Sequence, residues 1–304
     1  MKQCFDIHQH ITNQIIAAIE QGAGHFSLPW HRRGSIMHST NIASKKPYRG
    51  INIVALWAAS EHHGFTSGVW GTYRQWADKG ANVRKGEKSS YVIFYKELEV
   101  AADSSDQDTE TRLIARATPV FAAEQVDGFE LPSLPAAEPV EPVTAVDSFV
   151  KATQAKIQHG GSQAFYRPAS DSIQLPLRED FIGTATSTAK EAYYSTLLHE
   201  LTHWTSAPHR CNRQLGKRFG DDAYAMEELI AELGAAFLCG ELGITPEPRS
   251  DHAQYLSSWL NVMKGDKRAI FTAASAASKA TDHLHQYSDA MRIADLVTDY
   301  VSPS

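Results

Sequence analysis

The stretch His199-Glu200-Leu201-Thr202-His203 reads most directly as chemistry. Residues four apart share one face of an α-helix, so both imidazoles can point at one metal ion. Glu200 follows the first histidine. From there its carboxylate can take a proton from a water that the ion activates, which makes it the candidate general base. Taken alone, five residues could equally be a packing helix with two incidental histidines.

A second stretch, Glu227-Glu228-Leu229-Ile230-Ala231-Glu232-Leu233, weighs against that. Glu228 and Glu232 lie one turn apart in an apolar helix, and buried carboxylates need partners. A metal and a ligating histidine would supply one each. The expected centre is therefore His199, His203 and Glu228 around zinc, with a fourth position left for water as in catalytic sites. Manganese or another divalent ion is the alternative. Glu232 is expected to orient a ligating histidine, and exchanged roles for Glu228 and Glu232 remain open. Glu227 points elsewhere on this helix and is expected in solvent. His209, six residues past His203, lies directly after Pro208 and lacks the glycine and later histidine of the three-histidine pattern, so it reads as an ordinary surface histidine. Tyr166, Tyr224 and Tyr287 are equal candidates for steadying an oxyanion.

Elements that could position these groups follow from periodicity and turn residues. Helices are predicted over 5–22, 51–61, 147–158, around His199 up to Pro208, through the glutamate stretch to about Leu242, and over 251–263 and 266–298. Residues 69–79 read as a short strand or turn into a helix. Strands are predicted over 90–96, 112–121, 164–168 and 172–176, with 97–110 a mobile hairpin tip. Four prolines fall within 131–146 (Pro132, Pro135, Pro139 and Pro142), which reads as a semi-extended linker. The expected division is 1–130, linker 131–146, and 147–304.

Charge is spread unevenly. The chain of 304 residues carries a formal −6, yet residues 1–98 hold 12 Lys and Arg against 6 Asp and Glu. That basic third also holds four of the six tryptophans, and aromatic rings among cations suit a single nucleic-acid strand. The candidates are Trp30, Arg32, Arg33, Lys45, Lys46, Tyr48, Arg49, Trp70, Tyr73, Arg74, Arg84, Lys85 and Lys88. Trp57, Trp76 and Phe94 read equally well as core. Three widely spaced cysteines without a CxxC pair argue against a thiolate zinc site and for a reducing compartment. No apolar run approaches a membrane span, so the cytoplasm is the expected location.

Longer motifs carry a resemblance. In the first half these are Trp30, Pro47-Tyr48-Arg49-Gly50-Ile51-Asn52, Trp70 with Thr72 and Gln75, and Gly80 followed by Val83-Arg84-Lys85-Gly86-Glu87-Lys88. In the second they are Ala164-Phe165-Tyr166, Asp171 with Ile173, Leu175 and Pro176, Tyr194 ahead of the HExxH run, Phe219-Gly220, Tyr224-Ala225 and the glutamate stretch. Together they resemble plasmid-borne antirestriction proteins of the ArdC type over nearly the whole chain outside the linker. Glu228-x-x-Ala231-Glu232 is also similar to the Glu-x-x-Ala-Asp of several HExxH peptidase families, whose first acid binds zinc. The resemblance implies an α+β protein. An N-terminal α+β domain would bind single-stranded DNA, and a mainly helical zincin-like domain with a small sheet would follow. It also implies protection of incoming plasmid DNA from host restriction in a conjugation recipient, with a restriction component or other protein as a further partner. Oligomeric state is left open. The competing readings are a metallopeptidase whose basic domain recruits a protein substrate, and a binding module whose metal site is not hydrolytic.

Overall fold

Helix α1 (Ile7–Gly22) turns Ile7, Ile11, Ile15 and Ile19 inward, as their spacing requires. The computed structural model describes residues 5–22, 39–101, 109–130, 142–183, 187–213, 222–244 and 252–301. After β1 (Thr40–Asn41) comes α2 (Ile51–His63), entered through Gly50 at φ 57°. That backbone region costs glycine little and most residues much. Next are β2 (Val69–Gly71), α3 (Tyr73–Ala77) and β3 (Asn82–Val83), then the paired strands β4 (Ser90–Ala101) and β5 (Thr109–Ala122), and β6 (Val126–Asp127). The sheet order is β1-β2-β5-β4, with β4 and β5 antiparallel from Ser90 opposite Val120 to Ala101 opposite Thr109.

Three motif residues of this half have structural work. Thr72 and Gln75 form a reciprocal capping box at the start of α3. Asn52 bridges α2 to β4, donating to the Ile93 carbonyl at 2.9 Å and accepting from its N–H at 2.7 Å.

The second half opens with α4 (Pro142–Thr153) and β7 (Lys156–His159), followed by β8 (Phe165–Arg167) and β9 (Ser172–Leu175). Central β9 pairs parallel with β7 and antiparallel with β8. Four helices complete it: α5 (Ala189–Trp204), α6 (Asp222–Leu242), α7 (His252–Gly265) and α8 (Ala269–Val301). The halves share packing. One apolar cluster joins α1 and α2 to α6, α7 and α8, including Ile11, Trp57, Phe237, Trp259 and Ile270. A second joins α4, α5, α6 and the small sheet.

Several expected boundaries move. The helix expected over 147–158 starts at Pro142, where a missing N–H is harmless in the first turn. It stops at Thr153 because Gln154 turns left-handed (φ 57°), and the remainder becomes β7. Residues 142–146, expected in the linker, are thus helical, while 131–141 lie outside the described residues. Strands β4 and β5 take half of the expected hairpin tip, and the other half, 102–108, is likewise outside the described residues. Helix α5 ends at Trp204, ahead of Pro208, with Thr205 as its cap. Among the described residues no helix is long and apolar enough to cross a membrane.

Candidate metal centre

Helix α5 is set at its start by a capping box. Thr188 accepts from the Glu191 N–H at 3.2 Å, and the Glu191 carboxylate accepts from the Thr188 N–H at 2.8 Å. From Tyr193 to Trp204 nearly every side chain is buried, including His199, Glu200 and His203. Helix α6 lies against it. A Cβ added at Gly234 would stand 2.5 Å from the Thr202 side chain, so glycine is what allows the helices this close between the two histidines.

The approach brings three donors together. Ligand atoms of His199, His203 and Glu228 lie within 4.8 Å of one another. The Nε2 atoms of His199 and His203 each stand 3.5 Å from a different oxygen of Glu228. Their Nδ1 atoms face outward to two further carboxylates. His203 Nδ1 is 3.2 Å from Glu227 Oε1, and His199 Nδ1 is 3.6 Å from Glu232 Oε2. A proton placed on each Nδ1 leaves both Nε2 lone pairs directed at the space beside Glu228. Such a buried set of two imidazoles and one carboxylate fits a divalent ion.

Glu227 corrects the sequence expectation. It is 2 % exposed, and the Arg213 guanidinium donates to both its oxygens, at 2.9 and 3.0 Å. The sequence signal is the apolar run that follows it, Leu229-Ile230-Ala231 and then Leu233-Gly234-Ala235-Ala236-Phe237-Leu238, and from Glu227 to Gly240 helix α6 is buried throughout. Arg213 gave no such signal, because its contact depends on the loop after α5 folding back.

Charge in the centre is mutually held. Burial alone would neutralise His203, but the carboxylates of Glu227, Glu228 and Glu200 outweigh it and push its pKa up to about 10. Burial likewise opposes the charge on Glu228, yet His199 and His203 hold it far below the usual carboxylate range. Glu227 is lowered too, against burial, by His203 and Arg213. Glu200 is 2 % exposed, and its charge reaches His203, which places it beside the cluster.

Next to the centre is a cleft of about 330 Å³, lined among others by Tyr166, Asp171, His209 and Arg213. Tyr166 donates to Asp171 Oδ1 at 2.9 Å. Burial and then that carboxylate push its pKa up to about 12, so this hydroxyl proton is already committed. Arg210 stacks on Trp204 at 3.7 Å and donates to Asp171 Oδ2 at 3.0 Å. Tyr287 Oη lies 3.4 Å from His283 Nε2.

The nucleic-acid candidates divide. Trp70 is 0 % and Tyr48 7 % exposed, so these rings are core and present no face to a base, a correction to the expected platform. Trp57 and Trp76 are core as well, whereas Phe94 is 52 % exposed. Lys45, Lys46, Arg49, Tyr73, Arg74, Arg84, Lys85 and Lys88 are at the surface. Asn41 donates to Tyr48 Oη at 3.0 Å and to Gln75 Oε1 at 3.1 Å, which ties the Lys45–Lys46 turn to α3 and its Tyr73 and Arg74. Arg84 pairs with Glu87 at 2.8 Å and Arg49 with Asp282. Trp30, Arg32 and Arg33 lie outside the described residues.

Two histidines one turn apart on a buried helix, met by a glutamate of the next helix beside a small sheet, define a zincin-like domain. Residues 144–276 match the family of zincin-like metallopeptidases, and residues 5–126 match the N-terminal domain of anti-restriction factor ArdC. The metal-free crystal structure of the antirestriction ArdC protein from plasmid R388 superposes with a TM-score of 0.76 at 36 % identity, covering 93 % of this chain and 98 % of that one. Its Mn(II)-bound form gives 0.73 at 37 % identity over the same shares. The chain belongs to the ArdC family of antirestriction proteins. It is also 45 % identical over 295 residues to the uncharacterized protein y4eC of Sinorhizobium fredii, covering 94 % of each. It is 35 % identical to the DNA primase TraC of Escherichia coli over 90 % of this chain, but spans only 26 % of that protein's length.

Proposed function

We propose that this chain binds single-stranded DNA through its N-terminal half and shields incoming plasmid DNA from host restriction during conjugation. In this reading its C-terminal half carries a zinc peptidase site in the recipient cytoplasm. Residues 1–130 do the binding and 147–304 form the metal half. His199, His203 and Glu228 hold the ion, with Glu232 and Glu227 orienting the two imidazoles. The observation that carries the reading is the convergence of both Nε2 atoms on Glu228 while both Nδ1 atoms face carboxylates. Two nitrogens and one carboxylate favour zinc over manganese in intrinsic affinity. The Mn(II)-bound R388 protein keeps manganese as the alternative.

When bound, the ion would polarise a peptide carbonyl and make water acidic enough to attack near neutral pH. Glu200 would accept that proton and pass it to the departing amine. The surface cations of the first half support the DNA reading through contacts with phosphates.

Glu200→Ala tests the hydrolytic claim. Metal should remain, since no ligand is touched, while peptidase activity on the host target disappears. Recipient-cell proteomes with wild type and this variant would reveal that target. Full restriction protection by the variant would show that hydrolysis is not the protective step. Wild type that cleaves a protein yet binds no single-stranded DNA would instead favour a peptidase whose basic half recruits protein.

A further inference from the structure

A groove of about 1120 Å³ runs where β4 and β5, α1 and α2 meet α8. Among its described lining residues are four cations, Arg49, Arg213, Arg268 and Lys279, and one carboxylate, Asp282. Asp282 takes Arg49 and Glu227 takes Arg213. Arg268 and Lys279 are exposed and form no ion pair among the described residues. Tyr95, from β4, is 51 % exposed, with its hydroxyl 3.5 Å from His8 Nε2. This surplus of positive charge sits in a chain whose total is −6.

We propose that this groove is a binding track for a single nucleic-acid strand, with Arg268 and Lys279 on the phosphates and the Tyr95 ring under an unpaired base. The proposal rests on the single-strand reading above and extends it to the second half of the chain, because Arg268 and Lys279 lie beyond the matched N-terminal domain. Cations spaced along a groove follow a backbone of any sequence, and an exposed ring offers stacking that only an unpaired base accepts. The groove reaches Arg213, whose guanidinium holds Glu227 against His203, so the strand would pass beside the outer layer of the metal centre.

The test uses full-length, metal-loaded protein and a short fluorescent oligothymidine. Arg268→Gln with Lys279→Gln alters two exposed side chains. It should weaken binding and lower the log–log salt slope by about 2, about 1 for each phosphate contact removed. Cys211 lines the same groove and serves as an independent reporter. Its alkylation, read by mass spectrometry on its own peptide, should slow when the oligonucleotide is bound. Wild-type binding that the double variant leaves unchanged, with Cys211 unprotected, overturns the groove and leaves the single-strand reading standing. Wild type that fails to bind the oligonucleotide overturns both. Protection of Cys211 by polyglutamate and not by the oligonucleotide overturns the proposal in favour of an acidic peptide.

Discussion

At Glu227 a single carboxylate faces the His203 imidazole on one side and Arg213 on the other. Glu227→Gln keeps the shape and removes the charge that holds the Nδ1 proton of His203. Losses of this kind lower metal affinity about 10- to 100-fold. Competition against a chelating dye should show that drop, and unchanged affinity would mean that His203 needs no such hold. The raised pKa of His203, about 10, carries a sign that calorimetry can check. Without metal its imidazole keeps a proton through neutral pH. Metal must displace that proton, so affinity falls as pH falls, and loading at pH 8 releases about one proton per ion from this site. Titrations in two buffers of different ionisation enthalpy measure that number directly. An ordinary imidazole, already neutral at pH 8, would release none.

Among elements, the α5–α6 contact decides whether His199, His203 and Glu228 meet. Gly234→Ala puts a methyl into the Thr202 side chain, and overpacking of this kind costs about 1–3 kcal/mol. Urea unfolding should show the loss, and combining it with Thr202→Ala should recover much of it. An additive pair of losses would mean the helices do not touch there. How legible these elements were in the sequence depended on the interaction that shapes each. The HExxH spacing, the periodic isoleucines of α1 and the alternating β8–β9 pair are local patterns, and they predicted their elements well. The Gln154 turn that divides α4 from β7 is decided by pairing with β9, twenty residues on, and leaves no periodic trace. Glu227 departs from the solvated position its helix register suggests, because α6 is enclosed by α5 and α8 and has no face in solvent there. Trp70 is core against expectation, because an aromatic beside cations has the same composition whether it packs inward or faces out.

Across the whole molecule, the halves that the charge pattern separates are joined by packing. Trp57 of α2 lies against Phe237 of α6, with ring centroids 5.7 Å apart, and α1 adds its isoleucines to the same cluster. A fragment beginning at Pro142 would leave that apolar surface of α6, α7 and α8 uncovered. We expect it to unfold at lower denaturant than the intact chain or to aggregate, and matching midpoints would show that the halves fold independently. Metal removal should act on the same scale. Glu227, Glu228, Glu232 and two histidines are packed together, and an ion bound only by the folded state adds stability by mass action. Thermal melts with and without a chelator should differ in that direction. The most direct test of the centre is metal content per chain, by elemental analysis, in wild type, Glu228→Gln and Glu232→Gln after identical loading with zinc. The geometry predicts about one ion in wild type, most of it retained by Glu232→Gln, and a near-complete loss in Glu228→Gln. Full occupancy in Glu228→Gln with loss in Glu232→Gln would contradict it.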